Sequence, residues 1–267
     1  MNERARPEAV VEPVLEVSVE NGIARLTMNR PKQYNAISRE MLDAMQAALD
    51  GIARDRAVRA VVIAGHGPAF SGGHDLKEMM ACRTEEFIGG LFDACSRVML
   101  SMAALPQPVV ARVHGTATAA GCQLVAACDL AVASSDARFA TSGINFGLFC
   151  ATPGVPLSRN LSRKRAFEML FTGAFIDAQT ALDWGLVNRV VAPAELDAEV
   201  QRLAAAIIEK PAAVCAAGKA LFYEQIEARL VHAYAAASNA ITRNMLGEDA
   251  AEGVSAFIEK RKPRWDA

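Results

Sequence analysis

The chain lacks the cysteine patterns that mark metal or redox sites. Its six cysteines (Cys82, Cys95, Cys122, Cys128, Cys150, Cys215) form no CxxC pair, and none of the four histidines stands at ligand spacing from them. Zinc ribbons and thioredoxin-type motifs are therefore excluded, no metal site is expected, and the thiols read as buried free cysteines of a reducing compartment. An excess of one charge is also missing: 28 Lys and Arg against 30 Asp and Glu leave a net charge of −2. No basic field invites nucleic acid, and no acidic block suggests a disordered tail. The opening text, MNERARPEAVVEP, has no apolar core. It reads as neither secretory signal nor transit peptide, so a cytoplasmic location is expected. The most apolar long stretch, residues 109–133, is broken by Arg112, His114, Gln123 and Asp129, which argues against a membrane span.

What is present is ordinary for a soluble, well-buried protein: 52% hydrophobic and 22% charged residues over 267 positions. That length accommodates one large domain with an appendage. Residues 14–19 and 23–28 are β-rich runs joined by Glu20-Asn21-Gly22, and Asn-Gly supplies the positive φ angles of a tight hairpin. Met41, Leu42, Met45, Ala48, Leu49 and Ile52 then recur at helical spacing behind a capping Ser38. Residues 60–64 (AVVIA) suit a strand buried on both faces. A long helix over 85–104, a strand over 109–113, a short helix over 119–127 and a strand over 129–133 continue the alternation, which argues for an α/β core. A last strand-like run lies at 186–191. A helix carrying Leu196, Val200, Leu203 and Ile207 in register follows it, and after Pro211 no β-rich run remains. The reading is a core over residues 1–204 and a helical subdomain over 205–267.

Two segments can carry chemistry. AFSGGHDLKEM, residues 69–79, places Gly72 and Gly73 after a strand, where backbone N–H groups can approach a ligand; a plain turn explains the pair equally well. VHGTATAAGCQLVAACDLAVAS, residues 113–134, runs a strand through tiny residues into a helix near Ala120. A helix N-terminus presents unpaired N–H groups and the positive end of the helix dipole, suited to an anionic oxygen. Tight packing of helix on sheet would need the same small residues.

In this order and spacing the two segments resemble the crotonase (enoyl-CoA hydratase/isomerase) superfamily, over nearly the whole chain. Asn29-Arg30-Pro31-Lys32 with Asn35-Ala36 looks like the family's opening motif. Phe171-Thr172-Gly173 followed by Ala178, Ala181, Gly185-Leu186-Val187 and Val190-Val191 matches a later stretch. Within the superfamily the texts AAGCQLVA, GLFCATPG and the closing KRKPRW most resemble the group of enoyl-CoA hydratase domain-containing protein 3. The resemblance implies an α/β fold of repeated ββα units in a spiral, with a C-terminal helical trimerisation subdomain and a homotrimer or dimer of trimers. It implies an acyl-CoA or enoyl-CoA substrate, with no cofactor beyond the coenzyme A of that substrate. It places backbone oxyanion donors on His74 and Ala120, CoA contacts on Gly73, His74, Asp75, Leu76 and Lys77, and Lys32 near the nucleotide end.

The imidazole of His74 would suit a general base by its ordinary pKa. If its N–H faces the substrate, however, the ring is expected to point elsewhere. The two glutamates that handle protons in the family's hydratases fall here on Gln123 and Gly143. Glutamine keeps the shape and can orient water, but cannot exchange a proton at neutral pH, and glycine supplies nothing. General acid and base groups typically contribute ~10²–10⁴ each, so a hydratase without both is expected to be slower by roughly 10⁴. Ser142, Asn145, Thr141, Cys150 and Thr152 are the polar or thiol groups near position 143, none with an evident base partner. Either an acyl-CoA enzyme whose chemistry needs no glutamate, or a protein that binds acyl-CoA without turnover, satisfies this pattern.

Overall fold

In a computed structural model, residues 12–265 are described. The expected hairpin pairs β1 (Leu15–Glu20) with β2 (Ile23–Met28). Asn21 and Gly22 turn it at φ +50° and +77°, the left-handed geometry that matches strand twist. Ser38 caps α1 (Arg39–Ile52), its hydroxyl accepting from Met41 N at 3.2 Å.

From there the chain repeats one unit. A strand is followed closely by a second, short strand and then by helix: β3 (Ala60–Gly65) and β4 (Ala69–Ser71) lead to α2 (Leu76–Ala81) and α3 (Glu85–Ala104). β5 (Val109–Val113) and β6 (Thr116–Thr118) lead to α4 (Ala120–Ala127). β7 (Leu130–Ser134) and β8 (Arg138–Ala140) lead to α5 (Ala151–Asn160) and α6 (Arg163–Thr172). The first strands of each unit form a six-stranded sheet in the order β1-β2-β3-β5-β7-β10, and the second strands form a four-stranded sheet, β4-β6-β8-β9. One edge of each sheet is made by β9 (Ile176–Asp177) and, after α7 (Ala178–Trp184), β10 (Arg189–Val191). This is the spiral of ββα units that the resemblance implied. The second sheet was not legible beforehand: strands of two or three residues carry no periodicity.

β3 is buried along its whole length, as a central parallel strand should be. Val61 and Ile63 face the main core, with Met41, Leu42 and Met45 of α1 and Leu91, Cys95 and Val98 of α3. Ala60 and Val62 face α8 (Leu196–Ile208), whose Leu196, Val200 and Ala204 cover the other side of the sheet. α3 is apolar and long enough, by length and composition, to cross a membrane. Its Leu91–Met102 stripe is instead packed into the core.

The boundary expected at residue 205 falls inside α8. Beyond it come α9 (Ala212–Ile226), α10 (Leu230–Met245) and α11 (Glu248–Ile258). What pins α9 to the core is a buried polar cluster. Lys219 Nζ donates to Met102 O at 2.7 Å, Gln107 O at 3.0 Å and Asp129 Oδ2 at 2.7 Å, which uses all three of its protons. Tyr223 donates to the other Asp129 oxygen at 2.7 Å, and Val109 N donates to Oδ2 at 2.6 Å. Burial pulls the Lys219 ammonium below its ordinary pKa, and Asp129 opposes that fall. Asp129, which heads β7, is thus a structural residue. Replacing Lys219 by methionine leaves the carboxylate buried without its cation, and should lower unfolding stability by roughly 3 kcal/mol in a urea titration. A loss below about 1 kcal/mol would show that α9 is held by other contacts.

Candidate functional site

The two glycine-bearing segments meet because one buried amide organises the first of them. Asn35, at φ +52°, donates through Nδ2 to His66 O (2.8 Å), Ala69 O (2.8 Å) and Phe70 O (3.1 Å), and its Oδ1 accepts from Arg30 N at 3.0 Å. Its own carbonyl accepts from Ser71 Oγ at 2.9 Å. The backbone then zips onward: Gly72 N donates to Tyr34 O, Ile37 N to Gly73 O and Asp75 N to Ile37 O. Since Gly73 O and Asp75 N both face Ile37, the intervening His74 N–H points the opposite way.

The second segment arrives through close packing. A Cβ at Gly121 would fall 2.4 Å from Ser71 O, so only glycine lets α4 approach β4. Gly73, at φ +93°, is equally confined: a Cβ there would meet Ala119 Cβ at 2.9 Å and Ala120 N at 3.3 Å. Ala119 itself sits at φ +50°, ψ −120°, a conformation an L-residue holds only under constraint, and caps α4 with no side-chain help. Ala120 is the first residue of α4, so its N–H has no partner within the helix. Among the described residues neither His74 N–H nor Ala120 N–H donates to another protein group.

Both residues border a cavity of about 530 Å³. Gly72, Leu76, Ser142, Gly143, Cys150 and Thr152 line it too, so the structure brings eight of the residues singled out in the sequence to one place. The rest of the wall is mostly apolar. Met79, Ile88 and Phe92 come from α2 and α3, and Phe146, Leu148, Phe149 and Pro153 come from the segment after β8 and from α5. The apolar wall was missed in the sequence. Ile88 and Phe92 stand four apart on α3, which marks a shared face but not what that face meets.

Not every singled-out residue reaches the cavity or can act in it. Gln123 was expected to be able to orient water, but it is not among the residues lining the cavity. Its Oε1 is buried against Cys95 Sγ at 3.9 Å, because position 123 faces α3. Gly143 has no room for any side chain: a Cβ would lie 2.6 Å from Leu148 O and 2.8 Å from Cys150 Sγ. Asp75 caps α2, accepting from Lys77 N and Glu78 N, and pairs with Arg30 at 3.0 Å. Burial raises its pKa, but Arg30 and those N–H groups outweigh burial and hold it low. Lys32 and Lys77 are exposed. Burial pushes the Cys122 and Cys95 thiols up to about 12 and raises Cys150, so these are poor nucleophiles.

The His74 ring is turned to Ile37 O (3.2 Å from Nδ1) and sits edge-on to Phe92. A carbonyl only accepts, so Nδ1 carries the proton; Nε2 is buried and unpaired among the described residues. Burial holds the ring below its ordinary pKa of 6.5, opposed in part by the Ile37 carbonyl.

Comparison with known proteins follows this geometry. The family model described as enoyl-CoA hydratase/isomerase matches residues 18–267. The chain is 45% identical over 253 residues to the Xenopus laevis protein "Enoyl-CoA hydratase domain-containing protein 3, mitochondrial", covering 95% of this chain and 86% of that one. It superposes on the crystal structure of an enoyl-CoA hydratase of Mycobacterium smegmatis with a TM-score of 0.94 at 57% identity, covering 95% and 99% of the two chains. On the human enoyl-CoA hydratase domain-containing protein 3 the TM-score is 0.92 at 44% identity, covering 94% and 100%. The expected cytoplasmic location is corrected by these relatives, since the Xenopus laevis protein and its mouse and human counterparts are named mitochondrial. Compartment is set by targeting signals that a folded core need not reflect. The N-terminal text on which the expectation rested lies, up to residue 11, outside the described residues.

The buried ring of His74 makes a pH prediction. Folded, it binds a proton less readily than when unfolded, so between its lowered pKa and 6.5 the unfolded chain holds more protons. Stability is full above 6.5 and is lost as pH falls below it. Urea titrations between about pH 7.5 and pH 5 should show this loss, shallower in His74→Phe, and the His74 proton resonances should titrate below 6.5. A midpoint at or above 6.5 would contradict the burial.

Proposed function

The chain belongs to the enoyl-CoA hydratase/isomerase family, and from that premise we propose that it binds an acyl-CoA or enoyl-CoA thioester in the cavity between His74 and Ala120. The observation that carries this reading is the pair of main-chain N–H groups, at 74 and 120, bordering one apolar cavity. The thioester carbonyl oxygen accepts from both, and each bond strengthens as the carbonyl becomes an enolate. Such a donor is typically worth ~10²–10³ in rate. The acyl chain lies against Met79, Ile88 and Phe92. The peptide groups of residues 73–77 hold the CoA arm, with the exposed Lys77 and Lys32 as cations for its phosphates.

Hydration is not the reaction we assign. The family's two glutamate positions fall on Gln123, buried against Cys95, and on Gly143, where a carboxylate cannot be accommodated without moving residues 148–150. Reactions that need the oxyanion donors but not those two carboxylates are supported instead: thioester hydrolysis, isomerisation or decarboxylation. A second reading, a protein that binds acyl-CoA without turnover, rests on the same absent carboxylates. The comparison that tests both is calorimetric binding of butyryl-CoA beside loss of enoyl absorbance from crotonyl-CoA. Micromolar-range binding is expected, with hydration slower by roughly 10⁴ than a glutamate-bearing hydratase. Gly73→Ala, which displaces His74 and Ala120 together, should weaken binding at least tenfold. Absence of binding overturns the assignment, and rapid hydration overturns the reading of positions 123 and 143.

We further propose assembly as a homotrimer or dimer of trimers through the C-terminal helices. Leu230, Val231, Tyr234, Leu246, Phe257 and Ile258 are exposed there on one chain, and large uncovered apolar surface marks an interface. Sedimentation equilibrium should find no stable monomer; a monomer at micromolar concentration would refute it.

A further inference from the structure

In an apolar cavity each polar group is placed to orient a ligand or is paid for by a partner. Ser142 lines this cavity, and its hydroxyl lies 2.7 Å from Thr118 Oγ1. Two hydroxyls carry two protons and four lone pairs, and their mutual bond uses one of each. Among the described residues neither hydroxyl makes another hydrogen bond, so the pair retains one proton to donate and three lone pairs. It is also fixed in place. Thr118 ends β6 two residues before Ala120 and pairs with Ala140 of β8, two residues before Ser142. Register between the two strands therefore sets the Ser142 hydroxyl relative to the N–H of Ala120.

The neighbouring candidates are committed elsewhere. Thr141 Oγ1 donates to Met169 O at 2.7 Å, and Asn145 Nδ2 donates to Gly173 O at 3.4 Å. Cys150 is wedged at Gly143. His74 gives Nδ1–H to Ile37, and its Nε2 is out of contact with solvent. Thr152 lines the cavity, but among the described residues nothing fixes its hydroxyl.

We propose that Ser142, oriented by Thr118, is a specificity-determining residue that hydrogen-bonds an oxygen substituent, hydroxyl or carbonyl, on the acyl chain. The site thereby prefers oxygenated acyl thioesters over plain hydrocarbon ones. This rests on the acyl-CoA reading above. A hydroxyl pair donates and accepts at once, so both substituents fit it, whereas a saturated chain leaves its remaining donor without a partner.

The test is calorimetric titration with 3-hydroxybutyryl-CoA, acetoacetyl-CoA and butyryl-CoA, the readout being the ratio of each oxygenated affinity to the saturated one. Wild type should favour the oxygenated thioesters by roughly tenfold. Ser142→Ala should bring the ratio to about one, and Thr118→Val, which keeps the Ser142 hydroxyl but removes its partner, should reduce it by several-fold. Thermal unfolding of each variant confirms the fold. A wild-type ratio near one, or a ratio that survives Ser142→Ala, overturns the proposal. If butyryl-CoA also fails to bind the wild type, the acyl-CoA reading itself falls.

Discussion

The side chain of Asn35 is the constraint on which the candidate site depends. It sits at 0% exposure, its amide donates to carbonyls of residues 66, 69 and 70, and its oxygen accepts from Arg30 N. The Asn35 amide and the carbonyls of Ala69 and Phe70 are buried, so leaving one unpaired would cost about 1–3 kcal/mol. The loop between β3 and β4 therefore has one arrangement in which its polar groups are satisfied. That arrangement carries the chain directly into the bridge between Ile37 and His74, and so aims the His74 N–H. Position and polarity at the site come from a buried polar clamp some distance along the chain.

The second segment is held by sterics as well as by hydrogen bonds. Gly121 touches Ser71, Gly73 touches Ala119, and Ala119 keeps a positive φ that nothing in its own chemistry favours. Strain of about 1–3 kcal/mol at such a residue persists only where the surroundings over-determine it. Here the surroundings are β4 on one side and β8 on the other, Ala119 N donating to Ala140 O at 3.0 Å. A site built from main-chain donors tolerates histidine or alanine at the donor positions, because the side chain is not what meets the ligand. The buried cluster around Asp129 does for the C-terminal helices what Asn35 does for the loop: it joins elements that share little apolar contact through groups that cannot be left unpaired.

Much of the fold was legible beforehand. The Asn21-Gly22 turn, the capping Ser38, the helical stripe of α1 and the buried run of β3 each carry a local physical signature that the structure reproduces. The four short strands of the second sheet carry none. At the site, the family resemblance put His74 and Ala120 forward, and the structure places both on one cavity. It does not place Gln123 there, because a position three residues into a helix faces wherever the helix is rotated, and α4 turns that face to α3. The pairing of Ser142 with Thr118 depends on strand register between β6 and β8, which no local pattern expresses.

By itself the sequence determined the alternation of strands and helices, the small residues that permit close approach, the lack of metal-ligand patterns and the identities at positions 123 and 143. These follow from local rules, since backbone conformation, periodicity and side-chain chemistry are properties of neighbours in the chain. Only the tertiary structure decided which of those residues share a cavity, that Gly143 has no space for a side chain, that the His74 ring is turned to Ile37 O and packed on Phe92, and that Lys219 is buried against Asp129. Each of these is a matter of distance between residues far apart in sequence, and burial and electrostatics depend on that distance.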